Sequence, residues 1–266
     1  MQSTPISLRF APSECRVLLR ELTGRDEQAV SGTSTADAVR LLDALCDGAS
    51  AQTESRFRAA DLVVTDRDRL LAAAYERAFG DRIESTLTCA RCGQMFDLHF
   101  SLTQLAASLN GRGVPGEWQA LGNARFETNG GMCFRLPTGN DELAVANLAE
   151  QEAESLLLSR CAESGHWPGG ARAFQDMLDQ LAPLLDLELN ASCAECGHSH
   201  TVQFDIQNYL LNAILGERSR LIKEIHRVAT AYGWCLDDIL SLTRSERRQL
   251  VELIENETSR RARLTR

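Results

Sequence analysis

The chain has 266 residues, of which 44% are hydrophobic and 24% are charged, an ordinary composition for a soluble globular protein of one or two domains. Its net charge of −9 argues against a dedicated nucleic-acid binder, because neutralising phosphates is the main source of affinity in that class. The first ten residues lack the pattern of a secretory signal, and no apolar run approaches the roughly 18 residues of a membrane span. We therefore expect a cytoplasmic protein without membrane insertion.

An internal duplication organises the sequence. Residues 23–30 read TGRDEQAV and residues 138–145 read TGNDELAV, with six of the eight positions identical. Further along, CARCG at 89–93 is matched by CAECG at 193–197. In each copy a phenylalanine follows the second cysteine by eight residues. Three matching features in the same order indicate two copies of one structural unit.

Each copy predicts the same series of elements. A short apolar stretch comes first, and in the second copy an Asn-Gly-Gly turn between alternating apolar residues predicts a hairpin. The Thr-Gly-x-Asp-Glu segment then begins a helix, because threonine caps a first turn and acidic residues favour the positive end of a helix dipole. A strand, the Cys-x-x-Cys turn and a second strand end the copy. Apolar residues at helical spacing predict further helices at 35–46, 66–79, 147–161 and 171–185.

These patterns predict an α+β fold in four parts. They are a first repeat unit at 1–109, a glycine-rich surface linker at 110–123, a second repeat unit at 124–206, and a C-terminal helical module with a basic tail at 207–266. Trp118 lies in the linker and Trp167 in a second glycine-containing loop. An exposed tryptophan can anchor a partner, although folding back over the core is the simpler interpretation for both.

The two Cys-x-x-Cys turns predict one structural zinc ion. Zinc in such sites takes four tetrahedral ligands, commonly four thiolates, and one turn supplies two of them. Cys89 and Cys92 from the first copy would therefore share one Zn²⁺ with Cys193 and Cys196 from the second. The glycine after each turn tolerates the unusual backbone angles that the turn needs. The zinc would hold the duplicated halves together in a zinc-ribbon-like site.

Other interpretations of the cysteines remain open. A redox pair of the thioredoxin type stands at a helix N-terminus, whereas these turns lie between strands, and a metal-free site is a further alternative. His198 and His200 follow the second turn and are reserve ligands or, more simply, surface histidines. The remaining cysteines are expected to be small buried hydrophobic residues: Cys15, Cys46, Cys133, Cys161 and Cys235.

No catalytic motif is present in the sequence. It contains no phosphate-binding GxxxxGK[ST] loop, no GxSxG elbow and no HExxH pair. A catalytic zinc keeps an open coordination position, which four cysteines would not leave. We therefore expect a protein that is not an enzyme and has no small-molecule substrate, with an enzyme of unrecognised type as an alternative.

The C-terminal segment predicts a helix, a short helix and a longer helix. The stretch 217–232 is amphipathic, Gly233 is a typical helix stop, and Thr243 with Glu246 forms a capping box that begins the last helix. This order also suits a DNA-reading helix-turn-helix, but the last helix carries several glutamates that would face phosphates. We therefore expect nucleic acid to be an unlikely partner. A zinc-ribbon protein associated with nucleic acid stays an alternative function.

Two segments carry a resemblance to a known family. Residues 224–254, EIHRVATAYGWCLDDILSLTRSERRQLVELI, resemble a helical module of tail and baseplate assembly proteins from phages and phage-like contractile injection systems. Residues 66–93, with an Asp-Arg helix, Phe-Gly-Asp and Cys-x-x-Cys-Gly, resemble the baseplate protein family of T-even-type phages. In the module the matching positions are Trp234, Ile239, Leu240, Arg247 and Arg248.

The resemblance implies a non-enzymatic baseplate component that acts as an adaptor between subunits. Its partners would be other baseplate or tail proteins, and Trp234, Arg247 and Arg248 would be the partner-binding residues. An assembly chaperone that is absent from the mature particle is the main alternative. The protein would be cytoplasmic during assembly and then incorporated into a phage tail or injection particle. A packed helical cap on the core is the simplest role for the module.

Overall fold

The computed structural model describes residues 4–10, 16–47, 57–110, 118–164 and 170–264. The expectations for Cys15, for Trp167 and for residues 111–117 of the linker lie outside these ranges. Within them the predicted α+β class is confirmed, with helices and small antiparallel sheets. No helix of the described residues combines the length and apolar character that a bilayer crossing requires.

The strands form two small sheets and two long hairpins. Strands β1 to β3 make one antiparallel sheet, and β6 to β9 make another. The pairs β4–β5 and β10–β11 are two-stranded hairpins of equal length. The strand bounds are β1 Thr4–Ser7, β2 Arg16–Leu19, β3 Cys46–Asp47, β4 Arg82–Thr88, β5 Met95–Ser101, β6 Trp118–Gly122, β7 Arg125–Thr128, β8 Cys133–Arg135, β9 Ala162–Ser164, β10 Asp186–Ser192 and β11 Ser199–Asp205.

The helices follow the predicted order in both copies. A 3-10 turn at Ala59–Asp61 precedes the third α-helix. The α-helix bounds are α1 Gly24–Ala29, α2 Thr35–Leu45, α3 Val64–Phe79, α4 Leu102–Asn110, α5 Gly139–Val145, α6 Glu150–Cys161, α7 Gly170–Leu181, α8 Ile206–Gly216, α9 Arg218–Tyr232, α10 Leu236–Ser241 and α11 Arg244–Leu264.

Most predicted helix ends lie within three residues of the observed ones, but two boundaries differ by more. Residues 118–122 were expected in the surface linker but form strand β6, which pairs with β7 and extends the sheet of the second copy. Helix α7 was expected to reach residue 185 but ends at Leu181, because proline at position 183 disfavours helical backbone in the residue before it. The Asn-Gly-Gly hairpin between β7 and β8 has the predicted form.

The hydrophobic core crosses the predicted domain boundaries. The largest cluster joins first-copy residues such as Leu19, Leu42 and Leu71 to Leu210 and Leu211 of α8, which follows the second copy in sequence. A second cluster packs α6 and α7 against the sheet β6 to β9. Helix α8 therefore belongs to the core of the first copy, and the C-terminal module begins inside the body of the protein.

The two Thr-Gly-x-Asp-Glu segments form the same local structure. In the first copy, Thr23 caps α1, and the Asp26 carboxylate accepts a hydrogen bond from the Thr23 backbone amide. The Arg20 guanidinium donates two hydrogen bonds to Asp26, of 2.6 and 2.8 Å. In the second copy, Arg135 donates two hydrogen bonds to Asp141 at the same two distances. A capping box and a bidentate ion pair thus hold each turn in place.

Each Thr-Gly turn is docked against the start of a distant helix. At the first docking interface, Gly24 donates its backbone N–H to the Leu242 carbonyl, and Arg244 donates to the Leu22 carbonyl, at 3.2 and 3.1 Å. The second docking interface repeats the pattern before α3. There Gly139 donates to the Leu62 carbonyl, and Val64 donates to the Pro137 carbonyl, at 3.1 and 3.0 Å. The start of α11 therefore occupies the place in the first copy that the start of α3 occupies in the second.

A buried arginine completes each docking interface. Arg247 is fully buried and binds both oxygens of Glu27 at 2.9 Å, while its Nε donates to Glu224 at 3.1 Å. At the second interface the buried Arg67 pairs with Glu142. Arginine suits this role because its planar fork matches a carboxylate at two points. The glutamate of each Thr-Gly-x-Asp-Glu segment is thus the acceptor for the docked helix.

We predict that Arg247→Met lowers the free energy of unfolding by about 3–5 kcal/mol, because it removes the nearest cationic partner of the buried carboxylates of Glu27 and Glu224 and leaves them only longer ion pairs. The matched control is Arg227→Met, which breaks an exposed ion pair with Glu255 and costs at most about 1 kcal/mol. Urea unfolding monitored by circular dichroism measures both variants. Equal costs would contradict the importance of the buried pair.

Glycine is required where each turn touches the docked backbone. A Cβ on Gly139 would lie 3.0 Å from the Ala60 Cα and 3.1 Å from the Ala60 carbonyl oxygen. We predict that Gly139→Ala costs about 1–3 kcal/mol of unfolding free energy through this overlap. Gly216→Ala is the control, since a Cβ there meets open space, and we expect it to stabilise the protein by about 0.4–1 kcal/mol. Thermal unfolding of the two variants checks the difference in sign.

Candidate metal centre

The two hairpins present their cysteine turns in the same conformation. In the first hairpin, Cys89 donates its amide N–H to the Gln94 carbonyl, and Gly93 donates to the Cys89 carbonyl, both at 2.9 Å. In the second, Cys193 donates to His198 and Gly197 donates to Cys193 at the same distances. Both glycines have positive φ, 72° and 69°, which other residues rarely adopt. The sequence Cys-x-x-Cys-Gly therefore fixes each turn locally, before the hairpins meet.

The hairpins meet face to face about a pseudo-two-fold axis. Phe100, eight residues after Cys92, packs edge-on against its equivalent Phe204, with ring centroids 5.1 Å apart. Nearer the cysteines, Phe96 contacts its equivalent His200, also at 5.1 Å. Residues that correspond in the two copies touch each other only near a symmetry axis. The axis therefore runs along the contact between the hairpins toward the cysteine turns.

The four cysteine sulfurs converge at the end of this axis. All four Sγ atoms lie within 4.8 Å of one another. Cys89 Sγ is 3.7 Å from Cys196 Sγ, and Cys92 Sγ is 3.8 Å from Cys193 Sγ, so each close pair joins one copy to the other. Cys89 and Cys193 are buried, Cys92 is exposed, and Cys196 is intermediate. The structure thus brings together the four cysteines that the sequence singled out.

This arrangement has the dimensions of a tetrahedral zinc site. Zinc–sulfur bonds of about 2.3 Å in a tetrahedron place the sulfurs about 3.8 Å apart, which is the separation of both close pairs. Four thiolates are the ligand set of structural rather than catalytic zinc sites. Zinc bound by these four cysteines would cross-link the two hairpins.

Electrostatics among the thiols also calls for a cation. Burial acts against ionisation of Cys89, but backbone amides and the hydrogen bond with His200 bring its pKa down to about 5. The hydrogen bond from the Gln94 backbone amide lowers the pKa of Cys92. Burial and the hydrogen bonds with the other three sulfurs raise this pKa by more, to about 12. Four sulfurs this close do not all ionise without a compensating charge, and a dication supplies that charge.

The histidines beside the second turn are not equivalent. His200 Nε2 lies 3.3 Å from Cys89 Sγ, across the axis on the other copy. The His198 ring packs edge-on against the His200 ring, with centroids 4.9 Å apart. His200 is therefore a neighbour of the metal centre, whereas the simpler sequence interpretation placed both histidines on the surface. The remaining described cysteines lie elsewhere. Cys46 and Cys161 are buried as expected, whereas Cys133 is only partly buried and Cys235 is exposed, which corrects the expectation for these two.

The three residues expected to bind a partner have different surroundings. Trp234 is 43% exposed and packs on Tyr232, with ring centroids 5.5 Å apart. Arg248 is partly exposed and pairs with Glu217. The expectation that Arg247 contacts a partner is corrected by its position, because its side chain is fully buried, its charge is paired with Glu27 and Glu224, and its Nη1 donates to the Leu242 carbonyl.

Several structural residues were missed at the sequence level. Arg20 and Arg135 both stand three residues before the threonine of their Thr-Gly-x-Asp-Glu segment, so the repeat contained a signal for the ion pairs they form. A second signal lies in the docked helices, since Leu62 and Leu242 are each followed four residues later by an acidic residue and then an arginine. The two docked segments therefore share one sequence pattern. One of them lies in the first copy and the other after the second copy, so they do not occupy matching places in the two copies.

Comparison with known proteins identifies no relative: no protein-family model, curated protein or solved structure matches the chain.

We predict about one zinc ion per chain, and equal loss of zinc and of stability in Cys89→Ser and Cys193→Ser, because each removes one ligand of the same site. Cys235→Ser is the control, since Cys235 is exposed and distant from the cluster in sequence. Elemental analysis by mass spectrometry gives the zinc content, and thermal unfolding gives the stability. A loss confined to one of the two ligand variants would contradict a shared site.

Proposed function

We propose that this chain is a non-enzymatic structural component of a phage-like contractile tail baseplate, in which it acts as a zinc-stabilised adaptor between subunits. The observation that carries the proposal is the convergence of both duplicated halves on one four-cysteine site. A structural zinc contributes on the order of 10–16 kcal/mol in small domains. Such a cross-link suits a part that must keep its shape while neighbours bind to it.

The assignment to a tail baseplate rests on the resemblance of residues 66–93 and 224–254. In the structure both segments contribute to a docking interface with a Thr-Gly turn. The first covers α3 from residue 66 onward, including Arg67, which pairs with Glu142 of the second Thr-Gly segment, and leads into the first cysteine turn. The second covers most of α9, all of α10 and the first half of α11, and its Leu242 and Arg244 dock on the first Thr-Gly turn. The resemblance therefore covers the parts that assemble the body, which supports a shared architecture more strongly than two surface segments would.

An exposed apolar surface on the C-terminal helices is the proposed subunit contact. Tyr232, Trp234 and Leu236 are 42%, 43% and 53% exposed and lie around the left-handed glycine that ends α9. Large aromatic side chains are the residues that most often dominate binding energy at protein interfaces. Because Arg247 anchors α11 to the first copy, this surface is held at a fixed orientation to the zinc-linked body.

The experiment is mass spectrometry on tail-like particles purified from the native host, with and without the gene for this chain. We expect the chain in the particles at a small integer ratio to the baseplate subunits. Absence from particles whose assembly fails without the gene would replace the adaptor role with that of an assembly chaperone. Absence with no assembly defect would contradict any role in the tail.

The contact surface is tested by complementing the deletion with variant genes. We predict that Trp234→Ala lowers incorporation into particles by at least about ten-fold, as expected when an interface aromatic worth about 2 kcal/mol is truncated. Leu253→Ala is the control, because Leu253 is similarly exposed on α11. Zinc content and thermal unfolding of both purified variants should equal those of the wild type. Normal incorporation of the Trp234 variant would place the contact elsewhere.

A further inference from the structure

His200 breaks the two-fold symmetry of the metal centre. Four residues after the second cysteine of each turn, the first copy has Phe96 and the second has His200, and these two rings face each other across the axis. His200 Nε2 lies 3.3 Å from Cys89 Sγ. At the matching place in the other half, the apolar ring of Phe96 packs in the same cluster as Cys193. One hairpin therefore brings a nitrogen to a ligand sulfur of the other, and the reverse contact is apolar.

The distance defines what the imidazole does. Nitrogen and sulfur 3.3 Å apart are at hydrogen-bonding separation, and a zinc-bound thiolate has no proton to give, so the nitrogen must be the donor. Among the described residues, His200 is the one side chain whose nitrogen is hydrogen-bonded to a sulfur of the cluster. Zinc with four thiolates carries a net charge of −2. A donated N–H draws part of that charge away from one sulfur and fixes the position of the ligand.

Resting on the zinc site of the proposed function, we propose that His200 is a positioning residue that donates its Nε2–H to the zinc-bound thiolate of Cys89. The hydrogen bond makes Cys89 the most firmly held of the four ligands. The exposed Cys92 receives no such side-chain hydrogen bond from the part of the chain that the structure describes, and it is the sulfur from which zinc departs when a competing chelator attacks. The four ligands are then related by the two-fold axis, and one of them, Cys89, is additionally held by a hydrogen bond from the opposite copy.

The test exchanges the two symmetry-related residues. His200→Phe gives both hairpins the residue of the first copy, and Phe96→His, in a separate variant, adds an imidazole beside Cys193. Zinc transfer from each purified protein to a chromophoric chelator is followed at fixed pH. We expect His200→Phe to release zinc about ten-fold faster than the wild type, the scale of effect of ligand-supporting residues. Phe96→His should release zinc no faster than the wild type.

Two further measurements separate a hydrogen bond from simple packing. His200→Gln keeps an N–H donor at similar reach and should restore most of the slow release, which a purely steric role would not predict. Nitrogen-15 NMR of the histidine rings in the zinc-loaded protein should show His200 with its proton on Nε2. A lone pair of Nε2 coordinated to the metal would overturn the proposal and make His200 a ligand.

The outcomes separate this inference from the zinc site itself. If the wild-type protein contains no zinc, the zinc site is wrong and the role of His200 fails with it. If the wild type contains zinc and His200→Phe releases it at the wild-type rate, the site stands and the hydrogen bond has no positioning role.

Discussion

The rest of the structure depends on one constraint, which is that four cysteine sulfurs from two hairpins meet at one point. Each hairpin fixes its own turn through local hydrogen bonds, but a two-stranded hairpin is marginally stable alone. The two hairpins share no backbone hydrogen bonds in the described sheets, and side-chain contacts such as Phe100 with Phe204 lie between them. A metal bound by the four cysteines would link their ends and remove their freedom to separate. The duplication brings two cysteines from each copy to this point, which is the number that a tetrahedral site requires.

The duplication also gives the chain two Thr-Gly turns, each at the acidic start of a helix. Each turn is covered by the start of another helix from elsewhere in the sequence. In the second copy the partner is α3, which belongs to the first copy. In the first copy it is α11, at the C-terminal end. Each interface buries an arginine, and such a charge is tolerated inside a protein only when it is paired and hydrogen-bonded. Arg67 and Arg247 meet that condition with the glutamates of the turns they dock on.

The sequence predicted what local spacing determines and missed what distant pairing determines. The cysteine turns, the capping box of Thr243 and the glycine stop at position 233 depend on residues within a few positions of each other. The resemblance to baseplate proteins made Arg247 a partner-binding residue, which requires an exposed side chain. Its burial depends on Glu27, which is 220 residues away in the chain. Nothing in the local pattern around either residue indicates that they meet. Likewise the position of His200 beside the second turn suggested a reserve ligand or a surface histidine, but it did not indicate a hydrogen bond with Cys89 of the other copy, since that contact requires both hairpins to be in place.

The burial of Arg247 changes how the C-terminal helices can contribute to an adaptor. A module attached by its chain alone would leave its arginines available to a partner and would move relative to the body. Here α11 is fixed by the same kind of interface that fixes α3 within the core, so the helices act as part of the body. In the proposed adaptor, recognition would then depend on what they leave exposed, which includes the aromatic pair of Tyr232 and Trp234. Because that pair flanks Gly233 at the end of α9, and α9 is joined to α11 through Glu224 and Arg247, little backbone freedom would be lost on binding, and a small surface could support a specific contact.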